Sequence, residues 1–264
     1  MKNIILILYF LIISIFSFAQ IHITPKIGKI YSFAKQIDKG TNPSPYFKVA
    51  PYGSLGFMGV NIGYIYNKFS FDISWEYTEV GLQTYDKTAA TFCPDCKDVQ
   101  PFQGNYGVPF SSFPIRIGYN IYSRKHIDVF AKLGYFQVGR FYDPNAFSNT
   151  TQGPFRREGY SYYFPDGTPF TKVSRNLQAD FNMVYKIGKK KKYGISVDLV
   201  LNYGLKKLSE DKFITQIYKT NETYTNYVTR RGSYIAGNIG FIRIFQDSKK
   251  VRHTKEKHPK GRYF

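Results

Sequence analysis

Few side chains in this sequence are equipped for chemistry, and the most explicit are Cys93 and Cys96. Cys93-Pro94-Asp95-Cys96 is a C-x-x-C pair, and the 264 residues hold no other cysteine. Such a pair serves as a redox-active dithiol, as half of a zinc site or as a small structural disulfide. Dithiol catalysis needs the pair at a helix N-terminus in a thioredoxin-like setting, and nothing around it reads that way. Zinc needs two more ligands. The four histidines fall at positions 22, 126, 253 and 258, away from the segment that carries the pair. In an exported chain, two cysteines in one loop most simply close on each other, so Cys93 and Cys96 are expected as a disulfide. Neither metal nor cofactor is expected.

Acid–base chemistry fares no better. Asp72 and Glu76 lie four residues apart in an alternating segment, so they share a face and read as ion-pair partners before they read as an acid and its base. His22 is placed just before the first strand, His126 in a short turn, and His253 and His258 near the C-terminus. None falls in a long loop, which argues against histidine-dependent hydrolysis there, and no catalytic residue is assigned. Recognition is the better prospect. Phe155, Arg156, Arg157, Tyr160, Tyr162, Tyr163 and Phe164 crowd one segment. Aromatics beside arginine stack on sugars or anchor a protein partner. Equally, that segment folds on itself, or Pro165-Asp166-Gly167 turns a hairpin that rises above its neighbours. Both readings stand, and this is the candidate partner surface.

Eight segments of alternating apolar and polar residues are available to position these groups. They are joined by three tight turns, at Asn67-Lys68, Ser123 to His126 and Gly188 to Lys192. Polar, Pro- and Asn-rich stretches near 35–51, 83–111, 141–172 and 206–230 form four long loops between them. In Tyr193 to Tyr203 every odd position is apolar or aromatic, while Gly194, Ser196, Asp198 and Asn202 take the other face. Tyr193 and Tyr203 would stand about 25 Å apart along a membrane normal, the height of an apolar band with a tyrosine at each boundary. The fold class is therefore all-β, an eight-stranded antiparallel transmembrane β-barrel with up-and-down meander order. Strands near 22–34, 52–66 and 231–245 are weaker, because glycine is frequent and Pro25 interrupts the first. The inward faces carry Asp72, Glu76, Arg116, Asp128, Lys132, Asp180, Lys186 and Asp198. An eight-stranded barrel is just wide enough for side chains to fill, so these are expected to be a charge network and not a pore lining. A soluble lipocalin-like barrel would reverse the two faces.

The flanks and the composition give the setting. Met1-Lys2-Asn3, an apolar run from Ile4 to Phe18, and small residues at Ser17 and Ala19 have the form of a secretory signal peptide over 1–19. Residues 20–245 form the barrel, and 246–264 a basic periplasmic tail that composition marks as disordered, with seven Lys/Arg against Asp247 and Glu256. Tyr and Phe number 24 each, in keeping with aromatic girdles at the two membrane surfaces. The formal charge of +19 would suggest nucleic acid, but an exported chain meets anionic lipid, lipopolysaccharide or peptidoglycan instead. The tail and the Lys189–Lys192 turn fall on one side and suit such surfaces.

Asn67-Lys68-Phe69-Ser70-Phe71 followed by Glu76-Tyr77 and Gly81 resembles a turn and strand of the PorT-like outer-membrane β-barrel family. Phe113-Pro114-Ile115-Arg116-Ile117-Gly118-Tyr119 and Val197-Asp198-Leu199 with Tyr203-Gly204-Leu205 are similar to later strands of that family. The resemblance implies fold and membrane, not chemistry. It departs at the end, where such barrels close on an aromatic residue, here Phe245, and this chain runs 19 residues further. The expectation is an integral protein of the bacterial outer membrane with both termini periplasmic. It would be no enzyme but a structural or interaction subunit, accessory to a secretion or envelope assembly. Its partners would be outer-membrane lipids, lipopolysaccharide and a larger outer-membrane protein or lipoprotein, and no nucleic acid. The alternatives are a narrow solute or lipid transport barrel and, further off, a lipid-modifying enzyme.

Overall fold

In an apolar medium every backbone N–H and C=O must be paired within the protein, and a sheet achieves this only by closing on itself. The computed structural model describes residues 20–37, 42–92, 102–138, 148–152, 155–162 and 174–245, and in them the sheet closes. The strands are β1 (Gln20–Ile37), β2 (Phe47–Ala50), β3 (Tyr52–Tyr66), β4 (Phe69–Asp86), β5 (Phe102–Ser112), β6 (Ile115–Ser123) and β7 (Ile127–Val138). They continue with β8 (Ser148–Gln152), β9 (Phe155–Tyr162), β10 (Ser174–Ile187), β11 (Tyr193–Gly204), β12 (Ser209–Ile217) and β13 (Glu222–Phe245). One short helix, α1 (Thr88–Phe92), follows β4.

The ring runs β1-β3-β4-β6-β7-β10-β11-β13 and returns to β1, with every pairing antiparallel. The closing seam matches Ile21 with Phe245 at one end and Ile37 with Tyr227 at the other. β5 and β6 are two parts of one stave, broken at Phe113-Pro114. β6 pairs with lower β4, from Phe69↔Tyr119 to Ile73↔Ile115, and β5 with upper β4, from Glu76↔Ser112 to Asp86↔Phe102. Pro114 has no N–H to give, yet its carbonyl accepts the Ser74 N–H at 3.0 Å, so the ladder survives the break.

The three tight turns lie together at one end. Asn67 reaches φ 54° and Gly188 φ 75°, left-handed values that asparagine and glycine tolerate best. In the middle turn the Arg124 N–H donates to the Ile127 carbonyl at 2.8 Å. Side chains alternate across the wall, and in β11 exposed and buried residues alternate without exception. The outward set is apolar and the inward set in the lower half is mostly polar, with Val184, Ile242 and Ile244 an apolar exception, the reverse of a soluble barrel. Tyr193 and Tyr203 both face outward. Among the described residues no helix is long and apolar enough to cross a membrane, and the strands do the crossing.

Two expectations need correction. His22 does not precede the first strand. β1 begins at Gln20, and His22 is an inward, buried residue of it. The segments expected as polar loops are largely strand: β4 runs on to Asp86, β5 starts at Phe102, and β12 with upper β13 spans most of 206–230. Polar side chains did not prevent this, because runs such as Thr223-Tyr224-Thr225-Asn226-Tyr227-Val228 are rich in β-branched and aromatic residues. The wall therefore continues past the apolar belt as a folded head. Residues 1–19 and 246–264, Cys93, Cys96, Tyr163 and Phe164 lie outside the described residues, so the segments and disulfide expected there do as well. The helix α1 ends at Phe92, one residue before Cys93.

Candidate functional site

Alternation along β4, β6, β7, β10 and β11 brings the eight charged residues singled out above into the barrel interior. Asp72 pairs with Lys132 Nζ at 2.9 Å, faces His22 Nε2 at 3.2 Å, and accepts from the Asn61 amide at 3.1 Å. Glu76 is held by Arg116 and by Lys26 Nζ, the latter at 3.3 Å. Lys26 also reaches Asp198 at 3.5 Å, and Arg116 Nε stands 3.8 Å from Asp180. Arg116 also donates to the Ser74 hydroxyl at 2.6 Å and, from the same Nε, to the Gln178 side chain at 3.0 Å. Asn182 bridges Ser196 and Asp198. Nearer the short turns, Lys186 pairs with Asp128, which also accepts from Ser123 at 2.7 Å.

The middle cluster thus sets four carboxylates against Lys26, Arg116, Lys132 and the His22 ring. Lys26 and His22 were missed from sequence because Pro25 and Gly28 obscure the alternation of β1. The signal was there: Ile21, Ile23 and Ile27 share the outward face, which leaves 22, 24 and 26 inside. Small residues make the room. A Cβ on Gly63 would lie 2.0 Å from Asp72 Oδ1, and one on Gly118 would lie 2.6 Å from Lys132 Cγ.

Above this polar layer apolar side chains gather in the bore. Ile30, Phe57, Val80, Phe110, Phe136 and Tyr234 form one buried cluster with their neighbours, drawn from β1, β3, β4, β5, β7, β11 and β13. Tyr234 joins the two layers, its hydroxyl accepting from the Gln178 amide at 3.0 Å. Inward polar residues stand beside this apolar cluster, with Asn176 in register with Phe136 and Asn202 with Tyr234.

The head has a core of its own. Phe47, Leu82, Phe213 and Val228 pack together, and Ala89, Phe155, Ile217 and Tyr224 form a second cluster beneath α1. The Phe92 ring stacks on Tyr224 with centroids 4.9 Å apart. Polar bonds tie these elements: Thr215 donates to Asp86 Oδ2 at 3.0 Å, the Thr88 N–H to Asp86 Oδ1 at 2.8 Å, and Arg230 pairs with Asp211 at 2.8 Å. The sheet β13-β12-β9-β8 extends from the ring as a lateral wing.

The expected partner surface is thereby divided. Phe155 is fully buried and Arg157 nearly so, with Arg157 Nε 3.4 Å from Asp86 and its NH2 group donating to the Asp86 carbonyl at 3.3 Å. Burial depresses the Arg157 guanidinium below its ordinary range, and Asp86 opposes that shift. These two residues build the head and are not free to grip a partner, because inward positions on β9 face the head core. Arg156, one residue between them, is exposed and pairs with Glu158 on the outer face. Tyr160 and Tyr162 lie on the same strand. Of the two histidines among the described residues, His22 faces Asp72 and Asn61, and His126 contacts the Lys186 carbonyl at 3.1 Å at the short-turn end.

Comparison with known proteins places the architecture and little more. No family model matches the chain, and no curated protein matches it. Among solved structures it is similar to the outer membrane protein OprG from Pseudomonas aeruginosa, at 11% identity and a TM-score of 0.50 over 87% of this chain and 97% of that one. It is also similar to Neisserial surface protein A, at 7% identity and a TM-score of 0.36 over 84% and 95% of the two chains. A third is the outer membrane protease OmpT from Escherichia coli, at 9% identity and a TM-score of 0.36 over 86% and 96%. The likeness to OprG shows the fold, an eight-stranded barrel of the outer-membrane type.

Proposed function

We propose that this chain is a bacterial outer-membrane protein with both termini in the periplasm, in which a closed barrel holds a folded head outside the cell as an interaction subunit. The observation that carries this reading is a contrast between the two halves of the molecule. The bore is filled by paired charges and an apolar plug, whereas the long-loop end is built into a compact head with two buried clusters. A barrel serving as a conduit needs the opposite allocation, with a lined passage and a simple rim. The reading is non-enzymatic, with the head as the working part.

The partner in this proposal is a larger outer-membrane protein or lipoprotein of a secretion or envelope assembly. Kinship with the PorT-like barrels belongs to the same proposal and rests on the three strand motifs. Arg156, on the outer face of β9, and Tyr218, exposed just past β12, are the contact residues it names. The test is a mild-detergent pull-down of the tagged full-length protein from its own membranes, read by mass spectrometry. A stoichiometric envelope protein is expected, and it should be lost when Arg156→Glu and Tyr218→Ala are combined. Recovery of a lone monomer at native expression would overturn the proposal.

A further inference from the structure

The short-turn end of the barrel carries positive charge in all three of its turns. Lys68 stands in the first, Arg124 and Lys125 in the second, and Lys189 to Lys192 in the third. Each turn follows directly on the last ladder pair of its hairpin, Tyr66↔Phe69, Ser123↔Asp128 and Ile187↔Tyr193, so all three lie at the same end of the barrel. Arg243 joins them across the Tyr193↔Arg243 pair and is exposed. Asp128 is the one carboxylate at that end among the described residues, and it is buried against Lys186 and Ser123. The band therefore has no acidic counterpart of its own there.

Three of these cations are laid outward against aromatic rings. Lys68 Nζ lies 5.9 Å from the centroid of Tyr119, and Arg124 Cζ 5.6 Å from that of Tyr122. Arg243 Cζ sits between two rings, 5.9 Å from Tyr193 and 4.8 Å from Phe245. All four rings face outward at the lower edge of the apolar belt, where aromatic girdles meet lipid headgroups. A cation resting on such a ring is fixed beside the wall at headgroup depth, not across the mouth of the barrel. A protein or glycan docking from below would be met by charges over the mouth, whereas a phosphodiester in the membrane surface is met at the wall.

We propose that this girdle of stacked cations is a binding surface for anionic phospholipid headgroups, which it gathers around the short-turn end of the barrel. The inference rests on that end lying at a membrane surface and is independent of any protein partner, so it can fail while the interaction role stands. The test reconstitutes the full-length protein in phosphatidylcholine bilayers with trace spin-labelled phosphatidylglycerol or spin-labelled phosphatidylcholine. Electron spin resonance reads which lipid occupies the immobilised shell. The expected result is about a fivefold preference for phosphatidylglycerol at low salt, the factor one interfacial cation supplies, falling toward unity as salt is raised. Lys68→Gln, Arg124→Gln and Arg243→Gln together should remove most of it, whereas neutralising Lys249, Lys250, Arg252 and Lys255 in the C-terminal tail should not. Absence of any preference in the unsubstituted protein would overturn the proposal without recourse to a variant. So would a preference that survives the triple substitution and vanishes with the tail charges. Salt-sensitive pelleting with purified peptidoglycan, without lipid preference, would assign the charge to the cell wall and also overturn it.

Discussion

Arg116 illustrates how much a single side chain is asked to do in this barrel. It is buried, pairs with Glu76, faces Asp180, and donates to Ser74 and Gln178. A buried ion pair adds little net stability when intact, because desolvation offsets attraction, but removing one partner leaves the other charge stranded. Arg116→Leu is therefore expected to lower unfolding stability by about 3–5 kcal/mol, measured by urea titration of the protein folded in lipid vesicles. Gly63 offers a second test, since an added methyl would collide with Asp72 and His22. Gly63→Ala should cost about 1–3 kcal/mol, whereas Gly237→Ala, where nothing lies within reach of the new atom, should stay within about 0.5 kcal/mol. The same titration checks both. Most of these inward charges were legible, because strict alternation in β4, β10 and β11 assigns a face to every residue. Lys26 and His22 were not, since Pro25 and Gly28 break the pattern around them. Which acid meets which base was not legible anywhere: pairing across the bore depends on strand stagger, which alternation along one strand does not contain.

At the scale of elements, the wall and the head are separate structures on shared strands. Phe155 and Ile217 secure the β9–β12 wing to α1 through one small cluster, whereas the belt below is held by continuous ladders. Phe155→Ala should therefore loosen the head by about 3–5 kcal/mol and leave the belt intact. Limited proteolysis of the folded protein would show new cleavage within β9 (Phe155–Tyr162), while heat-modifiable migration on gels stays unchanged. Loss of both together would mean that the wing and the belt fold as one unit. The eight membrane strands and their tight turns were readable, since period-two alternation and turn chemistry are local signals. The head was not. Polar, Pro- and Asn-rich composition suggested loops, and that composition reports solvent exposure of a face, not absence of pairing. The residues of upper β13 are polar because the head stands in water, and they are β-branched and aromatic because they are strand. For Phe155 and Arg157 the sequence leaves binding and self-folding equally open, because an aromatic beside an arginine looks alike whether it awaits a partner or has already packed against Ile217 and Asp86.

The molecule as a whole is an inverted protein in its lower half and an ordinary one in its upper half. Below, apolar side chains face out and the charges face in around a small cluster of Val184, Ile242 and Ile244, and above, the head returns to a buried apolar core. Phe57, Phe110, Phe136 and Tyr234 pack in one buried cluster between them, and the proposed role requires that cluster to close the axis. That seal separates a post that carries a head from a channel that passes solutes, and planar-bilayer recording of the purified, folded, full-length protein tests it most directly. The expected result is insertion without steps of conductance at moderate voltage. Steady, reproducible single-channel steps from the unsubstituted protein would contradict the closed barrel and with it the allocation of function to the head.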